Sequence, residues 1–144
     1  MVNVRVLLVD ANDDILDGLS AWIATCDGFE VVGVAHSARE TYDRMFLLSP
    51  DVVLMDMSLP DANALDVTWR IKSRARPPLV VLMTFHDLAA IRAQAQAAGA
   101  DACLAKPRIT EDFPRIVSPL WVARQAPADA AAQSQSIPSR RRDS

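Results

Sequence analysis

The sequence predicts an α/β fold: a doubly wound, five-stranded parallel sheet with helices on both faces. Three observations predict it. Five short runs are almost wholly aliphatic, five amphipathic stretches alternate with them, and polar residues stand at the carboxyl ends of four of the runs. Runs that are apolar on both faces are covered on both faces, which is the habit of parallel strands. A length of 144 residues suits one compact domain and is too short for two ordinary ones.

The elements follow in order. Val4-Arg5-Val6-Leu7-Leu8-Val9 reads as the first strand and ends at Asp10. Ile15, Leu19, Trp22, Ile23 and Cys26 then form a helical stripe. Glu30 to Val34 is the second strand. Ser37-Ala38-Arg39-Glu40 has the capping-box pattern and opens a helix that turns Tyr42, Met45 and Phe46 inward and stops before Pro50. Val52-Val53-Leu54-Met55 ends at Asp56, and Leu65 to Lys72 is the third helix. Leu79 to Met83 ends at Thr84; Leu88, Ile91, Ala95 and Ala98 line a fourth helix closed by Gly99. Ala102 to Ala105 ends at Lys106. Thr110 to Arg124 is a fifth helix with Phe113, Ile116, Val117, Leu120 and Trp121 on its apolar face. Pro114 and Pro119 each delete a donor, and Pro119 is expected to kink it. Right-handed crossovers favour the flavodoxin-like strand order 2-1-3-4-5. Residues 1–124 therefore form the domain. Residues 125–144, rich in Ala, Gln, Ser, Pro and Arg, are expected to be a disordered tail.

Charge and composition narrow the function. Up to Arg124, 16 acidic residues face 12 basic ones; Arg140, Arg141 and Arg142 against Asp129 and Asp143 then bring the chain to a net charge of −3. An acidic domain lacks the basic face that nucleic acid requires. No apolar run reaches the roughly 18 residues of a membrane span, and Met1 to Arg5 leads straight into a strand, so a soluble, cytoplasmic protein is expected. Cys26 and Cys103 read as buried thiols rather than as a disulfide or metal pair.

The informative residues are those at the strand ends. In open parallel sheets ligands bind just beyond the carboxyl ends of the strands. Asp10, Asp56, Thr84 and Lys106 are therefore predicted to meet in one crevice. Two carboxylates, a hydroxyl and an ammonium suit phosphoryl transfer to a carboxylate oxygen. Lys106 pairs first with Asp56 and then with the phosphoryl group, Thr84 donates a hydrogen bond to it, and a divalent cation neutralises charge.

Val9-Asp10, Leu54-Met55-Asp56-Met57-Ser58-Leu59-Pro60, Met83-Thr84 and Ala98-Gly99-Ala100-Asp101 with Lys106-Pro107 resemble, in order and spacing, the motifs of the response-regulator receiver domains of two-component signalling. The resemblance covers residues 4–124. It implies that Asp56 takes a phosphoryl group from a phosphohistidine of a partner histidine kinase or phosphotransfer protein. It further implies that Asp10, Asp56 and the Ser58 carbonyl hold Mg²⁺, that Thr84 and Lys106 read the phosphoryl group, and that a homodimer or partner docks on the face of helix four, strand five and helix five. The implied protein is a stand-alone switch, not a turnover enzyme.

Several positions depart from that pattern. Ala11 replaces the acid that normally binds the metal directly, so Mg²⁺ is expected to bind weakly. Asp13 or Asp14 could reach the metal instead, but both open the first helix, where acids favour the positive helix end anyway. Phe85 stands where a small residue is usual and either crowds the pocket or faces a partner. Cys103 removes an aromatic residue that usually moves with the threonine, leaving the loop from Phe85 to Leu88 as an alternative route for the signal. Asn63-Ala64 replaces a common Asp-Gly pair. His86 reads as a solvated loop histidine, His36 as isolated between strand two and helix two, Trp22 as a core residue, and Trp69 and Trp121 as packing or interface residues. The rival reading is a pseudo-receiver, an interaction module of the same fold that works without phosphorylation.

Overall fold

The computed structural model describes residues 3–126. Its strands are β1 (Val4–Val9), β2 (Phe29–Ala35), β3 (Val52–Asp56), β4 (Leu79–Thr84) and β5 (Ala102–Ala105). They pair in parallel in the order β2-β1-β3-β4-β5. The helices are α1 (Asp13–Ile23), α2 (Ala38–Leu48), α3 (Ala64–Lys72), α4 (Leu88–Ala97) and α5 (Ile109–Gln125), with a 3₁₀ turn at Lys106–Arg108. The predicted order and the alternation of elements are both observed.

Side-chain alternation along the strands divides the core. Val4, Val6 and Leu8 of β1, Val52 and Leu54 of β3, and Val81 and Met83 of β4 pack under α1 and α5 with Leu16, Ile23, Phe113 and Val117. Leu7, Val9, Val53, Met55, Val80 and Leu82 point the other way, onto Met45, Val67, Ile71 and Ala95 of α2, α3 and α4. Strands β3 and β4 are buried along their whole length and β1 at every position but Arg5, whereas the edge strands β2 and β5 are partly open.

Local chemistry explains the helix ends. Asn12, Ser37, Asn63 and Asp87 each accept hydrogen bonds from free N–H groups at the starts of α1 to α4. Asn63 thus caps α3 in place of the usual Asp-Gly pair, and Ala64 beside it is fully buried. Gly99 follows α4 with φ +97°, a conformation that favours glycine, and an added Cβ would press on the Lys72 stem at 3.3 Å. Lys72 then donates to Asp101 at 2.7 Å and ties α3 to the start of β5.

Some expectations change. Phe46 is not turned inward: it is 84% exposed, and Met45 carries the α2 contact to the core. Along α1, Leu16 joins Leu19 and Ile23 as the buried line, while Ile15, Trp22 and Cys26 flank it and Cys26 falls beyond the helix end. Helix α5 runs through Pro114 and Pro119 to Gln125, one residue past the expected boundary. The remaining residues expected in the disordered tail, from 127 onward and including Arg140–Arg142, lie outside the described residues. Cys26 and Cys103 are free thiols, and partial burial pushes both pKa values up.

Candidate functional site

The same alternation that builds the core builds the site. Asp10 continues the register of Val6 and Leu8, Asp56 that of Val52 and Leu54, and Lys106 that of Ala102 and Leu104, so all three extend the α1/α5 side of the sheet. Thr84 ends β4 in register with Val80 and Leu82, on the opposite side. Phe85 falls in step with Val81 and Met83 and so stands on the side of the lysine.

At the mouth, the Lys106 ammonium lies 2.7 Å from Asp10 Oδ2 and 3.1 Å from Asp56 Oδ1. The three side chains are 8%, 3% and 11% exposed, so this is an ion triad largely withdrawn from water. The second Asp10 oxygen accepts the Asn12 N–H at 2.9 Å. Burial holds the Asp56 carboxyl above the usual carboxylate range. Lys106 and the Ser58 N–H pull it back down in part, while the Asp10 charge adds to the rise. Thr84 is buried, and its Oγ1 accepts the His86 N–H at 2.9 Å, which leaves the hydroxyl proton for another acceptor. The Phe85 ring is 67% exposed and sits over Lys106, with 4.8 Å from ammonium to ring centroid.

The donor set fits a divalent cation in a minimal way. Mg²⁺ is commonly held by one or two carboxylates and keeps several waters. Asp10 and Asp56 supply two carboxylates, Ser58 lies against Asp56, and Ala11 supplies nothing. Asp13 does not fill the gap, because its carboxylate is 2.6 Å from His36 Nε2. Among the described residues, no three His, Cys, Asp or Glu side chains are grouped to hold a metal ion.

His36 is the residue that sequence reasoning misread. It is not isolated: its other nitrogen, Nδ1, lies 3.2 Å from Glu40 Oε1, so one imidazole links α1, the end of β2 and α2. Glu40, expected to reach back to the Ser37 cap, turns to His36 instead. Asp61 was also missed; it accepts the Ala38 and Arg39 N–H groups at 2.8 and 3.1 Å, and these bonds lower its pKa. The Glu40 and Asp13 carboxylates raise the His36 pKa above 6.5. Its contribution to stability is therefore fully present below 6.5 and lost as pH rises through the higher folded value. Urea midpoints measured across that window should fall with rising pH in the wild type, and the slope should flatten in His36→Gln.

A five-stranded 2-1-3-4-5 sheet that presents two acids and a lysine at its mouth defines a receiver module of two-component signalling. The chain belongs to the response regulator receiver domain family, whose model matches residues 6–118. It is 38% identical over 79 residues to the response regulator GacA of Pseudomonas viridiflava, a match covering 55% of this chain and 36% of that protein. It is 32% identical to protein-glutamate methylesterase/protein-glutamine glutaminase 1 of Caulobacter vibrioides, across 99% of this chain and 44% of that one. Among solved structures, a two-component response regulator of the LuxR family from Aurantimonas sp. SI85-9A1 superposes with a TM-score of 0.78 at 26% identity, covering 91% and 94% of the two chains. The chain thus spans less than half the length of these two curated relatives. Receiver domains are signalling switches that interact with histidine kinases or phosphotransfer proteins. Among the described residues, no helix is long and apolar enough to cross a membrane.

Proposed function

We propose that this receiver accepts a phosphoryl group on Asp56 from a phosphohistidine of a partner histidine kinase or phosphotransfer protein, in the cytoplasm. The observation that carries the reading is the Lys106 ammonium, held within 3.1 Å of both Asp10 and Asp56. In the transfer, the phosphorus–nitrogen bond of the donor breaks as an Asp56 oxygen bonds to phosphorus, and the imidazole leaves with the electron pair. Lys106 moves from carboxylate to phosphoryl oxygen, and the Thr84 hydroxyl donates to a second oxygen. Asp10, Asp56 and the Ser58 carbonyl would hold Mg²⁺, which would supply charge neutralisation for the transferring group. With Ala11 in place of a third carboxylate, that binding would be weak and labelling slow. The signal leaves through protein contacts at α4, β5 and α5, with a second copy of the chain as one occupant; the acidic balance of residues 1–124 speaks against nucleic acid or an anionic membrane as a partner of this domain.

A pseudo-receiver, acting by contacts alone, is the second reading. Ala11 and the capture of Asp13 by His36 favour it. Intact mass after incubation with acetyl phosphate and Mg²⁺ separates the two. The first reading expects a gain of about 80 Da in the wild type and none in Asp56→Asn, the mass of one phosphoryl group on one acceptor. No gain over hours, with the protein folded, would favour the second.

A further inference from the structure

We propose that Phe85 is a ring with two seats: one over the Lys106 ammonium, the other in an apolar cavity between α1 and α5. The first seat is the observed one, with the ring 67% exposed and 4.8 Å from the ammonium. The second is a half-open, mostly apolar pocket of about 280 Å³ that Phe85 and Lys106 border, walled by Ile15, Leu19 and Trp22 of α1, Met83 and Ile109, with Asp14 and Thr110 also lining it. An enclosed apolar cavity of about 150 Å³ is enough to hold benzene, so this pocket has the space for a phenyl ring. Such a ring gains by burial, and what opposes the move is its attraction to the cation.

Two links connect the choice of seat to the phosphoryl site. Lys106 is shared by Asp10, Asp56 and the ring, so a dianionic phosphoryl group that engages the ammonium weakens its hold on Phe85. Thr84 precedes Phe85 directly, and its Oγ1 already holds the His86 N–H. A threonine drawn toward a phosphoryl oxygen therefore pulls on both ends of the Phe85 residue. The ring then drops into the α1/α5 cavity and the apolar patch it presents at the mouth disappears. With Cys103 on β5 in place of a movable aromatic, this gives the threonine a ring to move. The trigger rests on the phosphoryl-acceptor reading; the two seats do not.

The test uses 4-fluorophenylalanine incorporated into the full chain, which reports from Phe29, Phe46, Phe85 and Phe113. Phe85→Leu identifies the Phe85 fluorine resonance. Lys106→Met combined with Asp10→Asn and Asp56→Asn removes the cation without stranding a carboxylate. In that background the Phe85 resonance should move and its shift between H₂O and D₂O should fall at least twofold, as for a buried ring. Adding Gly18→Leu, at a position on the cavity rim where an added Cβ meets nothing within 4 Å, should block the seat and return the exposed signal. A Phe85 resonance that stays solvent-exposed when the cation is gone overturns the proposal. If the triple variant does not fold, Asp56→Asn with Lys106→Gln, which keeps a donor for Asp10, asks the same question. In the wild type with acetyl phosphate and Mg²⁺, the mass gain and the moved resonance should appear together, and a mass gain with an unmoved resonance overturns the proposal. Absence of any mass gain counts against the phosphoryl-acceptor reading alone, and the cation-free variants still decide the two seats.

Discussion

Replacing Lys106 with methionine is expected to lower the unfolding free energy by about 3–5 kcal/mol, the cost of leaving a buried charge without its partner. Methionine keeps the length and most of the volume of the lysine stem, so packing changes little and charge dominates. Asp10 and Asp56 would face each other with the cation gone, each retaining one backbone donor, from Asn12 and Ser58. The carboxylates would relieve the repulsion by taking up a proton, so the loss should be greater at neutral than at acidic pH. Adding Asp10→Asn and Asp56→Asn to the same variant should restore most of it. Urea denaturation of the single and triple variants measures both steps. A loss under about 1 kcal/mol for Lys106→Met, the size found for exposed pairs, would mean that water screens the triad despite its burial.

Ala11→Asp should tighten Mg²⁺ binding by about 10–100-fold or more, since even residues that only support metal ligands carry effects of that size. Ala11 is exposed and directly follows Asp10, so a carboxylate there gains a place at the mouth without disturbing the core. Labelling by acetyl phosphate should accelerate with it, at Asp56 only. Without the cation, the third carboxylate adds repulsion to Asp10 and Asp56, and the variant should be less stable than wild type. Titration of the Mg²⁺-dependent change in tryptophan fluorescence, beside urea melts with and without Mg²⁺, reads both signs. Equal Mg²⁺ affinity in the two proteins would show that position 11 does not reach the cation.

Much of this site was legible because strands impose a period of two and parallel sheets gather their carboxyl ends on one edge. Asp10, Asp56 and Lys106 occupy equivalent steps of three strands, and the ends of the three strands were read within a residue of where they lie. The receiver motifs add spacing to that pattern. The caps at Ser37 and Gly99 were legible as well, because a cap is a contact between residues within one turn.

What the sequence by itself determined is the order of elements, the parallel five-stranded sheet and the set of polar groups at its mouth, since these follow from local periodicity and from the few ways such strands can be connected. Only the tertiary structure decided that Asp13 is held by His36, that Phe46 lies outside while Met45 lies within, and that Phe85 rests over a lysine with an apolar cavity beside it. These are contacts between side chains some 20 residues apart, or choices between neighbouring positions on one helix. They depend on the angle and depth at which helices settle on the sheet, and a periodic pattern carries no information about either.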